Sequence, residues 1–235
     1  MTQNRIEAIK SLYSLELNNN DAAFIFLGYS GIILRLKTFT MAFDPGKGLD
    51  LSEISAIEHL DLLSFTHNHW DHYNKEKALQ LFAETGTHIV ADIISSEELS
   101  TSVPTNLLTV GDAGSSFKTY RINDFEVSAL RGVHVGPISQ YLVNLGRLKV
   151  FHGGDSGYWR HPDVSADIAF VPIGTARTCS PAVALAMVMD LQPKIAVPIH
   201  GQKQEMKKFR VLVEKVLPDI EVIVPERFKL IKISI

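Results

Sequence analysis

The stretch Thr66-His67-Asn68-His69-Trp70-Asp71-His72 decides the reading of this chain. It follows the apolar run Leu62-Leu63-Ser64-Phe65, which has the character of a short strand, and sets three imidazoles and a carboxylate within residues 67–72. Imidazole and carboxylate are the ligands that borderline divalent metals prefer, zinc above all. On an extended loop, positions i and i+2 project to the same side, so His67 and His69 can grip one ion. Asp71 and His72, just past a turn, face a second position. Such a cluster is costly unless something binds it, because buried imidazoles repel when protonated or strand their ring nitrogens when neutral. Ordinary surface-loop histidines are the plain alternative, and this density of ligand types disfavours them. The chain has one cysteine, Cys179, which excludes the thiolate-rich sites of structural zinc. A His/Asp set keeps an open position for water and points to catalysis.

Further ligands are expected at strand ends. Of the nine histidines, His134 lies in Arg131-Gly132-Val133-His134-Val135-Gly136-Pro137, just after a strand-like run at 125–130 and flanked by glycines that allow close backbone approach. His200 closes the run Ile195-Ala196-Val197-Pro198-Ile199 and precedes Gly201. Asp155 sits in His152-Gly153-Gly154-Asp155-Ser156-Gly157, after a strand-like run at 148–151. A carboxylate on a glycine loop can be only a turn former. Beside residues 67–72 it reads instead as the bridging carboxylate that a two-metal site needs to offset cation–cation repulsion.

Composition bounds the rest. Among 235 residues, 46% are hydrophobic and 21% charged, as in an ordinary globular protein, and the net charge of −3 supplies no global attraction for nucleic acid. A single cysteine rules out an intramolecular disulfide and fits a reducing compartment. No apolar run approaches the ~18–20 residues of a membrane span, and the first residues lack the apolar core of a signal peptide, so a cytoplasmic location is expected. Ile6, Ile9, Leu12, Tyr13 and Leu15 recur near helical spacing, and Asn18-Asn19-Asn20-Asp21 then breaks the pattern. Residues 1–21 are therefore read as an N-terminal helical extension, which leaves room for a homo-oligomer contact, and residues 22–235 as one domain. From Ala22 onward, strand runs with glycine-bearing turns predict antiparallel strands at 24–27, 32–37 and 40–43. Strands at 168–171 and 195–199 alternate with helices at 182–191 and 203–216, and Ser180-Pro181 opens the first of these helices as N-cap and first helical residue. Late strands are expected at 221–224 and 228–233. The pattern is that of sheets covered by helices on their outer faces.

Taken in order, Gly28-Tyr29-Ser30-Gly31, Asp44-Pro45, the His67–His72 segment, His134, Gly154-Asp155-Ser156-Gly157, Val171-Pro172-Ile173-Gly174 and Pro198-Ile199-His200 resemble the metallo-β-lactamase superfamily of metal-dependent hydrolases. The branch they are most similar to contains ascorbate-6-phosphate lactonase-like proteins and N-acyl-phosphatidylethanolamine phospholipase D. The resemblance implies an α/β fold, a four-layer α/β/β/α sandwich of two mixed sheets flanked by helices. It assigns His67, His69 and His134 to a first metal, Asp71, His72 and His200 to a second, and makes Asp155 the bridge. Two divalent ions are expected, Zn2+ first, with Mn2+ or Fe2+ as alternatives. The expected activity is hydrolysis of a small-molecule lactone, ester or phosphodiester by a metal-bridging hydroxide, with Asp71 both ligand and orienting catalytic group. β-Lactamase activity itself is disfavoured, since a bridging aspartate goes with other branches. The competing classes are an iron-dependent redox enzyme and a non-catalytic metal-binding protein on the same ligand frame. A small-molecule substrate is the expected partner, with no nucleic acid and no membrane span.

Several positions stay open on the sequence. Tyr29 stands where that branch commonly has His. His152, His161, Tyr29 and Thr178 are proton-donor candidates by proximity to motif loops alone. His59 and His88 read as ordinary positions and Cys179 as a buried thiol. Arg177, in the loop 174–180, could meet a substrate anion.

Overall fold

The computed structural model describes residues 2–114, 117–174 and 178–235. The chain divides into two compact units, Met1–Val110 with Glu226–Ile235, and Gly111–Pro225.

In the first unit the elements run α1 (Thr2–Ser14), β1 (Asp21–Gly28), β2 (Gly31–Leu36), β3 (Thr40–Phe43), α2 (Leu51–Ile54), β4 (Leu62–Phe65), α3 (Lys75–Thr85), β5 (His88–Ala91), α4 (Ile93–Leu99) and β6 (Leu108–Val110). The second unit holds β7 (Phe117–Ile122), β8 (Phe125–Arg131), β9 (Ser139–Asn144), β10 (Lys149–His152), β11 (Ile168–Pro172), α5 (Pro181–Leu191), β12 (Ile195–Ile199), α6 (Lys203–Val216) and β13 (Glu221–Val222). The chain then returns to the first unit as β14 (Leu230–Ser234).

The first sheet has seven strands in the order β14-β1-β2-β3-β4-β5-β6. Its first members pair antiparallel, β1 and β2 through the glycine turn at 28–31, and β3 to β6 pair parallel. Parallel neighbours need crossovers, which the segments carrying α2, α3 and α4 supply. Asn74 caps α3 by accepting from the Lys77 amide, and Gly86 ends it in the left-handed conformation. One sheet face packs on helices: Ala23, Ile25, Ile33, Leu63, Phe65 and Ile89 share a core with Ile9, Leu12, Ala78, Leu81 and Leu99. The alternate residues Phe24, Phe26, Ile32, Phe43 and Leu62 are buried as well, which is why these strands read as unbroken apolar runs. Helix α1 thus contributes two fully buried side chains to this core, and Arg5 ties it down through Glu53 at 2.8 Å and Asp50 at 2.9 Å.

The second sheet also has seven strands, in the order β13-β12-β11-β10-β9-β8-β7. Strands β7 to β10 are antiparallel and β10 to β13 parallel. Helices α5 and α6 cover one face, where Ala184, Met187, Val188, Phe209 and Val213 meet Phe151, Ala169, Val171 and Ala196. Helix α5 begins as its sequence dictates, with the Ser180 hydroxyl accepting from the Val183 amide and Pro181 in the first turn. Two mixed sheets flanked by helices are therefore present, an α/β architecture. Among the described residues, no helix is long and apolar enough to cross a membrane. The ligand candidates all follow strand C-termini: residues 67–72 after β4, His134 after β8, Asp155 after β10 and His200 after β12.

Candidate metal centre

In the first unit the cluster is organised by Asp44, which follows β3 and holds a left-handed backbone at φ 44°. Its side chain is fully buried. One carboxylate oxygen accepts the Thr66 amide at 2.8 Å, and the other accepts the Thr66 hydroxyl at 2.6 Å and His72 Nδ1–H at 2.8 Å. Because the Thr66 hydroxyl donates to Asp44, its oxygen is left to accept from His67 Nδ1, 3.1 Å away. The network places a proton on Nδ1 of both His67 and His72, so Nε2 is the ring nitrogen each turns away from it. The His67 ring lies 4.5 Å from that of His69 and 4.1 Å from that of His72, centroid to centroid. His72 Nε2 faces Asp71 Oδ2 at 3.6 Å.

The loop that carries these groups is clamped along its backbone. The His72 and Tyr73 amides donate to the His69 carbonyl at 2.9 Å each, while the Gly46 and Lys47 amides donate to the His72 and Asp71 carbonyls at 3.0 and 3.1 Å. Gly46 is required by this approach, since a Cβ there would stand 2.6 Å from the His72 carbonyl carbon. Behind it, the Lys77 ammonium donates to the Gly46 carbonyl at 2.7 Å, and burial lowers its pKa from the ordinary lysine value.

The second unit contributes two histidines around one carboxylate. Asp155 Oδ1 faces His134 Nδ1 at 3.4 Å, and Asp155 Oδ2 faces His200 Nε2 at 3.8 Å. Each oxygen of Asp155 thus addresses a different histidine. The loops are stitched together: the Val133 amide donates to Ser156 Oγ at 2.8 Å and the Gly157 amide to the Val133 carbonyl at 2.7 Å. His200 adopts φ 67°, a conformation that costs free energy in a non-glycine residue and persists where surrounding structure enforces it. Gly201 follows because a Cβ there would lie 2.7 Å from the Ile173 carbonyl oxygen. Side-chain exposure falls from 22% at His200 to 7% at Asp155 and 1% at His134, so the set has one accessible flank.

The remaining candidates sort themselves by their contacts. His152 is fully buried and its Nδ1 accepts from the Gly154 amide at 3.3 Å. His161 pairs with Gln140 at 3.0 Å, and burial pushes its imidazole below the ordinary histidine value. His59 contacts Asp61 and His88 contacts Thr109. Cys179 is buried and its thiol is pushed up to about 11 by desolvation, as a non-nucleophilic core thiol should be. The Thr178 hydroxyl is buried beside Gly174. Arg177 lies outside the described residues. Tyr29 packs edge-on against Trp70, ring centroids 5.8 Å apart. Reading residues 67–72 alone misses Asp44 and Thr66. The available signal was a lone aspartate ending an apolar strand before Pro45-Gly46, which by itself reads as a turn.

With this geometry in hand, the comparisons with known proteins are direct. The model of the Beta-lactamase superfamily domain matches residues 24–200, and the chain belongs to that family. All seven candidate ligands fall inside the match. A UPF0173 protein of Pyrococcus abyssi is 26% identical over 205 residues, covering 80% of this chain and 92% of its own length. A UPF0173 metal-dependent hydrolase of Enterococcus faecalis is 28% identical over 188 residues, 74% of this chain and 83% of that protein. Among solved structures, the metallo hydrolase Igni18 from Ignicoccus hospitalis matches 92% of this chain and 99% of its own, with a TM-score of 0.77 at 19% identity, a likeness of fold.

Proposed function

We propose that this chain is a dinuclear metal-dependent hydrolase of small-molecule lactones, esters or phosphodiesters. The proposal assigns His67, His69, His134 and Asp155 to one ion and Asp71, His72 and His200 to the other, with Asp155 shared. One observation carries it. His72 Nε2 to Asp71, His134 to Asp155 and His200 to Asp155 stand 3.6, 3.4 and 3.8 Å apart, wider than the ~2.7–3.2 Å of a hydrogen bond. Two ligand atoms bound about 2.1 Å from one tetrahedral ion sit about 3.4 Å apart. For His72 the ring orientation adds support, because Asp44 holds Nδ1 and Nε2 is the nitrogen turned toward the Asp71 carboxylate. The donor set, nitrogen and oxygen without sulfur, suits Zn2+ first and accommodates Mn2+ or Fe2+.

When bound, the ions supply a water acidic enough to attack at neutral pH and stabilise charge growing on substrate oxygens. The protein's own groups do the positioning. Asp44 and Thr66 fix the rings of His67 and His72, while Asp155 turns one carboxylate oxygen toward His134 and the other toward His200. Asp71, 15% exposed, serves as ligand and orients the attacking water through its carboxylate. Support for hydrolysis comes also from the relatives named metal-dependent hydrolases. A net charge of −3 favours a small molecule over a nucleic acid, and a cytoplasmic setting accords with the single, buried cysteine.

Elemental analysis of the purified protein, paired with a screen of lactone, ester and phosphodiester substrates under each metal, tests the proposal. About two ions per chain are expected, with Asp155→Asn lowering the count and abolishing turnover. A fully loaded protein that binds one ion, or an Asp155→Asn variant that still turns over, overturns it.

A further inference from the structure

Trp70 is 65% exposed, although it sits between two ligand-bearing residues, His69 and Asp71, on a loop clamped by four backbone hydrogen bonds. An indole held open to water forfeits the free energy that burial would return, so a fixed, exposed indole beside a reactive centre needs a reason. Its surroundings supply one. The Lys47 ammonium lies over the Trp70 ring, 5.5 Å from its centroid, and the Tyr29 ring meets it in a T-shaped contact at 5.8 Å with an interplanar angle of 71°. None of the three is placed by accident of a loose loop. The Lys47 amide is bonded to the Asp71 carbonyl. Tyr29 occupies φ 53° after Gly28 at φ 106°, a strained turn pinned from behind by Arg227, whose Nε donates to the Leu27 carbonyl at 2.9 Å. A bulky residue in that backbone region is a marked outlier.

From this we propose that Trp70, backed by Tyr29 and flanked by Lys47, is the substrate-selecting platform of the enzyme: it receives a planar ring that carries a negative charge. The inference rests on the hydrolase reading and names the substrate class for it. The chemistry follows from the parts. An indole stacks a flat ring through one face in preference to an alkyl chain, and the exposed Lys47 ammonium, resting over the indole on a flexible stem, turns to a carboxylate or phosphate on that ring while leaving a neutral ring unaffected. The edge-on Tyr29 fixes the indole plane so that the stacking surface is ready before the substrate arrives, which limits the ordering cost of binding. The substrate is then a ring-bearing anion whose ester or phosphodiester bond reaches the donors on either side of Trp70.

Three probe ligands separate the contributions: methyl phosphate, phenyl phosphate and 4-carboxyphenyl phosphate, titrated calorimetrically against the metal-containing protein and its Trp70→Ala, Trp70→Phe and Lys47→Met variants. Stacking on an aromatic face predicts a ring increment of about tenfold in affinity between the first two ligands. A partly exposed ion pair predicts a further increment of about three- to fivefold for the third. Trp70→Ala abolishes the ring increment, Trp70→Phe restores much of it, and Lys47→Met removes only the carboxylate increment. Phenyl phosphate also quenches Trp70 emission in the parent protein. A ring increment that survives Trp70→Ala, or no ring increment in the parent protein, overturns the platform. Absence of turnover on every ester and phosphodiester overturns the hydrolase reading while these binding increments stand or fall separately.

Discussion

Replacing Asp44 with Asn tests whether the second metal position is built from behind by one buried carboxylate. The substitution keeps shape and does not add backbone strain, because Asn is among the residue types that tolerate the left-handed conformation held at φ 44°. What changes is one oxygen. It accepts from the Thr66 hydroxyl at 2.6 Å and from His72 Nδ1 at 2.8 Å, and an amide NH2 in its place meets two donors. Hydrogen bonds to a charged acceptor contribute about 1.5–3 kcal/mol each. The Thr66 hydroxyl can turn to accept instead, so the expected loss of folding stability is about 2–4 kcal/mol, read as a fall in urea midpoint. If Asn instead turns its oxygen toward His72, the Thr66 amide loses its acceptor and the cost is similar. His72 also loses the partner that fixes its tautomer, and outer partners of this kind are worth about 10–100-fold in metal affinity. The assay is metal competition against a chromophoric chelator, following both equivalents. The first equivalent should weaken less than the second, and excess metal should restore turnover. An Asp44→Asn protein that binds its second ion as tightly as the parent and unfolds at the same urea concentration refutes the tautomer argument.

Other expectations concern the scaffold around the site. Arg5→Met leaves the fully buried Glu53 carboxyl without its cation at 2.8 Å; breaking such a pair costs about 3–5 kcal/mol, and adding Glu53→Gln to Arg5→Met should recover part of the lost urea midpoint. Recovery of nothing would show that Arg5 acts through its stacking on Phe228, 4.1 Å away, and not through charge. The Asn18 amide and then the Lys232 ammonium hold Asp21 below its ordinary value of 3.8. A depressed carboxyl stabilises the fold above its unfolded pKa and loses that contribution as pH falls through the folded value. The parent should therefore lose stability below about pH 4 more steeply than Asp21→Asn, and parallel acid limbs for the two proteins would contradict this. Cys179, with its thiol at about 11, should resist iodoacetamide in the native protein at pH 8 and react once urea unfolds it; rapid native labelling would place it at the surface.

How much of this was legible before folding depends on the range of the interaction. The donors at 67–72 announce themselves because ligand types crowd into one loop, and Ser180-Pro181 announces α5 because a cap is a local device. The early antiparallel strands are equally local, set by the short turns at 28–31 and 37–39. The pairing of β14 with β1 is not, since it joins the two ends of the chain, and β6, with its half-exposed residues, carries no periodicity to detect. Trp70 read as a residue between ligands, and only its exposure and its contacts with Lys47 and Tyr29 give it a part to play.

The amino-acid order alone determined the chemistry on offer, nitrogen and carboxylate donors without thiolates, each placed at the end of an apolar strand. Tertiary structure decided which atom of each donor is available. The proton on His72 is fixed by Asp44, 28 residues away, and that on His67 by a hydroxyl that the same carboxylate orients. Asp155 faces two histidines because His134 and His200, from segments after different strands, arrive at different oxygens. Tautomer and ligand orientation depend on hydrogen bonds between segments distant in sequence, and such bonds exist only once the sheet brings those segments together.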